Sequence, residues 1–152
     1  MLSKKTKYGL KAITYLAKKF ESKAPVLISK LAQDEKIPKK FLEQILLDLK
    51  NHGILESKKG KGGGYQLARH PAEIMLGQVI RILDGPLAPV SCVSQTAYKP
   101  CKECKDEHHC GIRLVMKDVR EAMSNVLDKT SLADVALRVK NFRVGMTSSY
   151  QI

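Results

Sequence analysis

The sequence lacks any apolar run approaching the roughly 18–20 residues that a membrane-spanning helix requires, which excludes a membrane span. Its basic N-terminus, residues 1–5, is not followed by the apolar stretch of roughly 7–15 residues that is typical of a secretory signal. Internal repeats and low-complexity tracts are absent as well. We therefore expect a cytoplasmic globular protein with no membrane partner.

Acidic residues are few: 15 Asp and Glu stand against 27 Lys and Arg, which gives a formal net charge of +12. The excess is concentrated in residues 1–70, which hold 16 basic and 6 acidic residues, whereas residues 71–152 hold 11 and 9. Such asymmetry favours a polyanionic partner, and nucleic acid before an anionic membrane surface. A solvated basic face that binds nothing would have the same charge.

Apolar spacing predicts three helices in the basic half. The first extends from Lys4 to Phe20, the second from Ile28 to Glu35, and the third from about Pro38 to Asn51, with Gly53 as its left-handed cap. The buried stripe of helix 3 is expected to be Leu42, Ile45, Leu46 and Leu49.

A glycine-tipped hairpin follows the third helix. The segments 54–58 and 65–68 have strand patterns, and the intervening loop has four glycines in five positions. A phosphate-binding loop is excluded because this loop leads into a strand rather than into Gly-Lys-Ser/Thr and a helix. With a short helix over residues 76–83, the order predicts a mainly α fold with a small β-hairpin wing: a winged helix–turn–helix over residues 1–84.

In such a fold helix 3 would enter the major groove and the wing would reach the adjacent backbone. Lysines neutralise phosphates, glutamine can pair with adenine, glutamate can accept from cytosine, and bare glycines permit close approach. The alternative for helix 3 is an amphipathic helix with a solvated charged face. The candidate DNA-binding residues are Lys39, Lys40, Glu43, Gln44, Lys58, Lys59, Lys61, Gly62 and Gly63.

Four cysteines follow within 19 residues, in and just after an irregular segment, residues 85–109, that we interpret as a sensor loop. Structural zinc typically uses two CxxC-type pairs, and only one is present. An iron–sulfur cluster needs converging thiolates, often with one at a helix start, and a redox thiol pair is also possible. His108 and His109 are interpreted as exposed loop residues. The candidate metal ligands are Cys92, Cys101, Cys104 and Cys110.

A last long helix is predicted from about Cys110 to Lys129, followed by a weakly patterned, mobile tail over residues 141–152. Its apolar stripe comes after a complete winged domain, where little remains to cover it. We therefore expect residues 110–140 to form a homodimer, which would place two recognition helices about 34–36 Å apart on a palindromic operator. The stripe comprises Ile112, Val115, Met116, Val119, Met123, Val126 and Leu127.

Four stretches carry a resemblance to a known family: residues 7–12, residues 37–46, residues 60–65 and Cys110 at the start of the long helix. They resemble the IscR/NsrR/CymR family of bacterial winged-helix regulators. The resemblance implies a homodimeric transcription factor, often a repressor, that is not an enzyme. It also implies a sensory loop that holds a [2Fe-2S] or [4Fe-4S] cluster in many members. Other members lack a cluster and respond to a partner enzyme or to thiol oxidation.

The resemblance also implies residue roles. Glu43 matches a position used in base discrimination, and Lys59 matches a basic wing residue. One branch has a ligating histidine where this chain has Arg113, and another has an acid where this chain has Lys7. Cys101 is extra and could complete an all-cysteine set for an iron–sulfur cluster, [2Fe-2S] for preference, although zinc or a thiol–disulfide switch stays open. The three usual ligands are best matched by Cys92, Cys104 and Cys110.

Two other classes of function compete with this interpretation. A small metal or redox protein could use the Cys101–Cys104 pair, but a redox CxxC usually opens a helix in a βα unit. No Ser/His/Asp set or paired carboxylates indicate an enzyme. A protein-binding adaptor would explain the long helix but not the lysine-rich wing.

Overall fold

The computed structural model describes residues 2–148, with side chains up to Arg143. These residues form six α-helices and one antiparallel hairpin, joined by loops. Short 3₁₀ turns lie at Phe20–Ser22, Pro71–Glu73 and Ser91–Val93. In chain order the elements are α1 (Lys4–Lys18), α2 (Ile28–Glu35), α3 (Lys39–Asn51), β1 (Leu55–Lys58), β2 (Gly64–Leu67), α4 (Leu76–Asp84), α5 (Gly111–Leu127) and α6 (Leu132–Ser148). The predicted winged helix–turn–helix order is confirmed.

The core lies between α1, α2, α3, α4 and the hairpin. Helix α1 begins at Ser3, whose Oγ accepts a hydrogen bond from the Thr6 amide at 3.1 Å, the usual N-cap arrangement. Its apolar stripe packs on that of α3, and Gly53 has a φ of 70° just after α3, as predicted. The four predicted α3 residues are all fully buried: Leu42, Ile45, Leu46 and Leu49.

The wing is joined to the segment that precedes α2. Strands β1 and β2 pair from Leu55 with Leu67 to Lys58 with Gly64. Val26 then pairs with Tyr65, with backbone N–H···O distances of 2.8 and 2.9 Å. A Cβ at Gly64 would lie 2.2 Å from the carbonyl oxygen of Val26, so this close approach requires glycine. The wing is therefore held at a fixed position beside the start of α2.

The C-terminal part differs from the sequence expectation. No helix was predicted after residue 129 and a tail was expected from residue 141, whereas α6 runs across that boundary. Exposed Leu137, Val139 and Phe142 do not lie on one stripe, so the apolar period that marks a helix is weak. Residues 149–152 of the predicted tail lie outside the described residues.

Helix α6 instead begins with local capping and backbone pairing. The Ser131 hydroxyl donates to Asp134 Oδ2 at 2.7 Å and accepts from the Asp134 amide at 3.1 Å. The Leu132 amide donates to the Ile74 carbonyl at 3.0 Å, which fixes the α5–α6 junction to the start of α4. No helix within residues 2–148 is both long and apolar enough to cross a membrane.

Candidate functional site

A concave groove of about 360 Å³ separates α3 from the hairpin, and we call it the wing groove. The N-terminal turn of α2 forms its third wall, through Leu27, Ile28 and Ser29. Five of the nine predicted DNA-binding residues meet there, from two separate elements: Lys39 and Glu43 of α3, and Lys58, Lys59 and Gly63 of the hairpin. The fold thus brings together residues that lie some twenty positions apart in the sequence.

The charges in the wing groove are available to a partner. Lys39, Lys58 and Lys59 are exposed, and no salt bridge found among residues 2–148 involves them. Glu43 lines the same groove and is also exposed, and none of the salt bridges found among residues 2–148 involves it. Three unpaired cations in one concavity would neutralise phosphates, and the single carboxylate could accept from a base edge.

The other four predicted residues lie outside the wing groove. Lys40 and Gln44 are exposed on α3, while Lys61 and Gly62 are exposed at the hairpin tip. Gln44 is already engaged, since its Nε2 donates to Asp48 Oδ1 at 3.0 Å.

Gly63 has a structural reason to be glycine that the sequence analysis did not identify. It is buried, and a Cβ there would lie 2.3 Å from the Lys58 carbonyl oxygen. Close approach to DNA is therefore not needed to explain it. Gly62, by contrast, is exposed and has a φ of 76°, a conformation that side chains rarely adopt.

Ser29 is a groove residue that the sequence analysis missed. It stands in the first turn of α2, whose N-cap residue, Leu27, makes no side-chain capping bond. Free backbone amides at a helix start favour anions. Its position beside the wing follows from the Val26–Tyr65 pairing, and no local sequence pattern predicts that pairing.

All four cysteines line one cavity of about 700 Å³ between the loop over residues 85–109 and the start of α5, which we call the cysteine cavity. Cys92 is buried, Cys104 and Cys110 are half-buried, and Cys101 is exposed. Arg113 and Ile112 of α5 complete one wall. The topology therefore places four soft donors around a single space.

Cys104 and Cys110 line the same cavity, and their pKa values move in opposite directions. The backbone amide of Arg113, in the first turn of α5, lowers the pKa of Cys110. Burial, followed by the contact with Cys110, raises the pKa of Cys104. Cys110 is thus the more acidic thiol of the pair, as the positive end of a helix favours.

Two arginines of α5 bind the backbone of the cysteine-bearing loop, residues 85–109. Arg113 Nε donates to the Cys92 carbonyl at 3.2 Å, and Arg120 Nη1 donates to the Val93 carbonyl at 2.7 Å. The two arginines lie seven residues apart on one helix face. Arg113, found where one branch of the resembling family has a ligating histidine, therefore connects α5 to the loop.

The donor types in the cysteine cavity suit iron or zinc, because thiolates are the ligands these metals prefer in such sites. In residues 2–148, however, no three Cys, His, Asp or Glu side chains are arranged to hold a metal ion. His109 bonds to Asp106 at 2.6 Å and is largely exposed, as expected of a loop residue. Holding a cluster would thus require the loop to close.

Helix α5 has no buried residue within this chain. We call its exposed apolar stripe, which includes Ile112, Val115 and Val126, the α5 face. Ile112 is 72% exposed, Val115 56% and Val126 58%. Large apolar side chains at this exposure indicate a surface that a partner covers.

A winged helix–turn–helix with a cationic groove is the architecture of a DNA-binding regulator of transcription. A family model for Rrf2, described as an iron-dependent transcriptional regulator, matches residues 2–138, so the chain belongs to the Rrf2 family. It is a transcriptional regulator and not an enzyme.

Three known proteins illustrate the similarity. An rrf2-like HTH-type transcriptional regulator of Rhodobacter capsulatus is 39% identical over 137 residues, 89% of this chain and 91% of that protein. The solved structure of CymR, described as the global cysteine regulator of B. subtilis, is 32% identical with a TM-score of 0.75, covering 91% of this chain and 97% of that one. The solved structure of IscR of T. potens is 29% identical with a TM-score of 0.72, covering 91% of this chain and 88% of that one. The predicted fold class and family are confirmed.

Proposed function

We propose that the protein is a homodimeric repressor that binds a palindromic operator through α3 and the wing, and whose affinity is set by the state of the cysteine cavity. The observation that carries the proposal is the wing groove, where Lys39, Lys58 and Lys59 are exposed and unpaired around Glu43. Lysines from two elements would fix the register on the phosphates, and α3 would read base edges. Binding to chromosomal DNA would place the protein in the cytoplasm.

The α5 face supports the dimer. A helix without a buried residue in its own chain requires a partner for its apolar side chains, and a second copy supplies an identical stripe. A symmetric pair of α5 helices would also present two recognition helices to successive major grooves.

The cysteine cavity supports the sensor. The residues that would hold an iron–sulfur cluster are Cys92, Cys104 and Cys110, with Cys101 as a fourth donor. Such a cluster would supply a link between loop and helix that responds to iron and to oxidation. Its type is proposed as [2Fe-2S] only from the family resemblance.

The chain itself connects the cavity to the DNA-binding half. Arg113 and Arg120 donate hydrogen bonds to carbonyl groups of the loop, so a conformational change in the loop would shift α5. At its other end α5 is tied to α4 by Arg81 and Asp128, whose two pairs of atoms lie at 2.5 and 2.8 Å. A difference of only about 1.4 kcal/mol between two arrangements would change operator affinity tenfold.

The test is an anaerobic purification followed by metal analysis, a visible absorption spectrum, and selection of duplexes from a random-sequence library. We expect iron with sulfide, charge-transfer absorbance and enrichment of a palindromic duplex. A protein that enriches no duplex at low ionic strength would refute the proposal. Zinc without visible absorbance would refute the cluster and leave DNA binding intact.

A switch without metal is the second candidate, favoured by the position of Cys104 and Cys110 around one cavity. Oxidation of both thiols by hydrogen peroxide would form one S–S bond, and the two electrons and two protons would reduce the hydrogen peroxide to two molecules of water. A metal-free protein whose DNA affinity changes with peroxide and recovers with dithiothreitol would establish this candidate over the cluster.

A further inference from the structure

A chain of three side chains joins α1 to the exposed face of the recognition helix. Lys5 of α1 places its Nζ 2.7 Å from Asp48 Oδ2, and Gln44 donates from Nε2 to Asp48 Oδ1 at 3.0 Å. Each carboxylate oxygen thus has one partner. Lys5 and Asp48 are partly buried, whereas Gln44 is exposed toward the solvent.

The contact with Asp48 settles which way the Gln44 amide points. A carboxylate accepts hydrogen bonds and cannot donate them, so only the NH₂ group of Gln44 can face it. Like an ordinary aspartate, Asp48 is ionised at neutral pH, and Lys5 lowers its pKa further. The Oε1 atom and the second N–H of Gln44 are therefore left for a partner outside the chain.

This orientation has a consequence for base recognition. An outward acceptor beside an outward N–H matches adenine, whose N6 amino group donates and whose N7 accepts in the major groove. Guanine presents two acceptors, O6 and N7, at the same edge, so Oε1 would face another acceptor. An amide free to rotate could present two N–H groups and accommodate guanine.

We propose that Asp48, held by Lys5, is a positioning residue that fixes the Gln44 amide so that α3 selects adenine against guanine at one base pair of each half-site. The inference rests on the proposed DNA binding and adds the residues that set its specificity. Asp48 and Lys5 would not touch DNA themselves.

The test begins with four proteins applied to one random-sequence duplex library: the full-length wild type and the variants Gln44→Ala, Asp48→Asn and Asp34→Asn. Asp34→Asn is the matched control, since Asp34 also forms an ion pair, with Lys30 at 3.2 Å, but lies on α2. It removes the same charge without touching Gln44. Anisotropy titrations then compare the selected duplex with one carrying guanine at the position in question.

We expect the wild type and Asp34→Asn to prefer adenine by roughly 5- to 150-fold, the range of one bidentate base contact. Gln44→Ala and Asp48→Asn should both reduce that preference to less than about threefold at the same position. Lys5→Met should reduce it in part, and Lys5→Arg should restore it. A purely structural role for Asp48 would lower the thermal midpoint and leave base preference unchanged.

Retention of the adenine preference by Asp48→Asn, with loss in Gln44→Ala, would overturn the positioning role. Retention in Gln44→Ala would overturn the assignment of Gln44 as the reader. In both cases the wild type still enriches a duplex, so the proposed function stands. Absence of any enriched duplex with the wild type would instead contradict DNA binding itself.

Discussion

Lys59 is the residue whose removal tests the wing most cleanly. It lines the wing groove, is exposed and forms no salt bridge among the residues described. Lys59→Ala should weaken binding to all duplexes alike and reduce the slope of log affinity against log salt by about 1, because one phosphate contact is lost. Anisotropy titrations over a range of salt concentrations measure that slope.

The matched control is Lys129→Ala, which removes the same charge from an exposed residue at the α5–α6 turn. Its slope should equal that of the wild type. Equal slopes for Lys59→Ala and the wild type would show that Lys59 does not contact the DNA phosphates.

The Arg81–Asp128 pair predicts a pH dependence of stability. Arg81 lowers the pKa of Asp128, so the pair stabilises the folded state above the ordinary carboxyl range, and the stabilisation is lost as pH falls through the lowered pKa. The two side chains are 36% and 40% exposed, so Arg81→Met should cost only about 0.5–1 kcal/mol at pH 7. Urea unfolding should show this deficit at pH 7 and a smaller one at acid pH, as the pH falls toward the lowered pKa of Asp128. A deficit of equal size at both pH values would contradict the assignment.

Among the secondary-structure elements, the contact of α1 with α4 depends on Gly9. A Cβ at this position would lie 2.3 Å from Leu83 Cδ1, although the site is helical and needs no unusual φ. Gly9→Ala should therefore lower the free energy of unfolding by about 1–3 kcal/mol through overpacking, despite alanine's better helix propensity. Urea denaturation provides the measurement.

Gly111→Ala serves as the control for that substitution, since nothing lies within 4 Å of a Cβ there. Its stability should be unchanged or slightly higher. If both alanine variants were equally stable, the close α1–α4 packing would be disproved.

The elements that the sequence predicted well are those with a strong local signal. The predicted bounds of α2 are the observed ones, and those of α3 differ by one residue. For α3 the apolar stripe, Pro38 at the start and Gly53 after the end all indicate the same bounds. Helix α6 was missed because exposed Leu137 and Phe142 break the apolar period, while its start depends on the pairing of Leu132 with Ile74.

The candidate sites show the same division. The lysine and glycine signals identified α3 and the wing, and the cysteine spacing identified the loop. Ser29 in the wing groove and the arginine bonds to loop carbonyls depend on tertiary packing. The spacing of residues along the sequence does not predict such contacts. The same holds for the contact of Asp48 with Lys5.

For the molecule as a whole, the proposed binding to a palindromic operator requires two copies of the chain. Val115 of the α5 face is 56% exposed in the single chain. Val115→Glu should convert the protein to a monomer, because a buried unpaired carboxylate opposes association. Operator affinity should fall at least about tenfold as half-sites cease to bind together. Sedimentation velocity measures the oligomeric state.

Asp118→Ala, at an exposed polar position of the same helix, should leave the dimer intact. A dimeric Val115→Glu protein, or a monomeric wild type that binds operator with full affinity, would show that α5 is not the interface.

Coupling of the cysteine cavity to the wing groove is tested by one anaerobic anisotropy titration, in which the selected duplex is bound by the same protein preparation before and after iron is removed with a chelator. We expect the dissociation constant to change at least about tenfold between the two states, with salt-dependent binding in the tighter one. Identical dissociation constants would contradict this coupling, since the cysteine cavity would then have no influence on the wing groove.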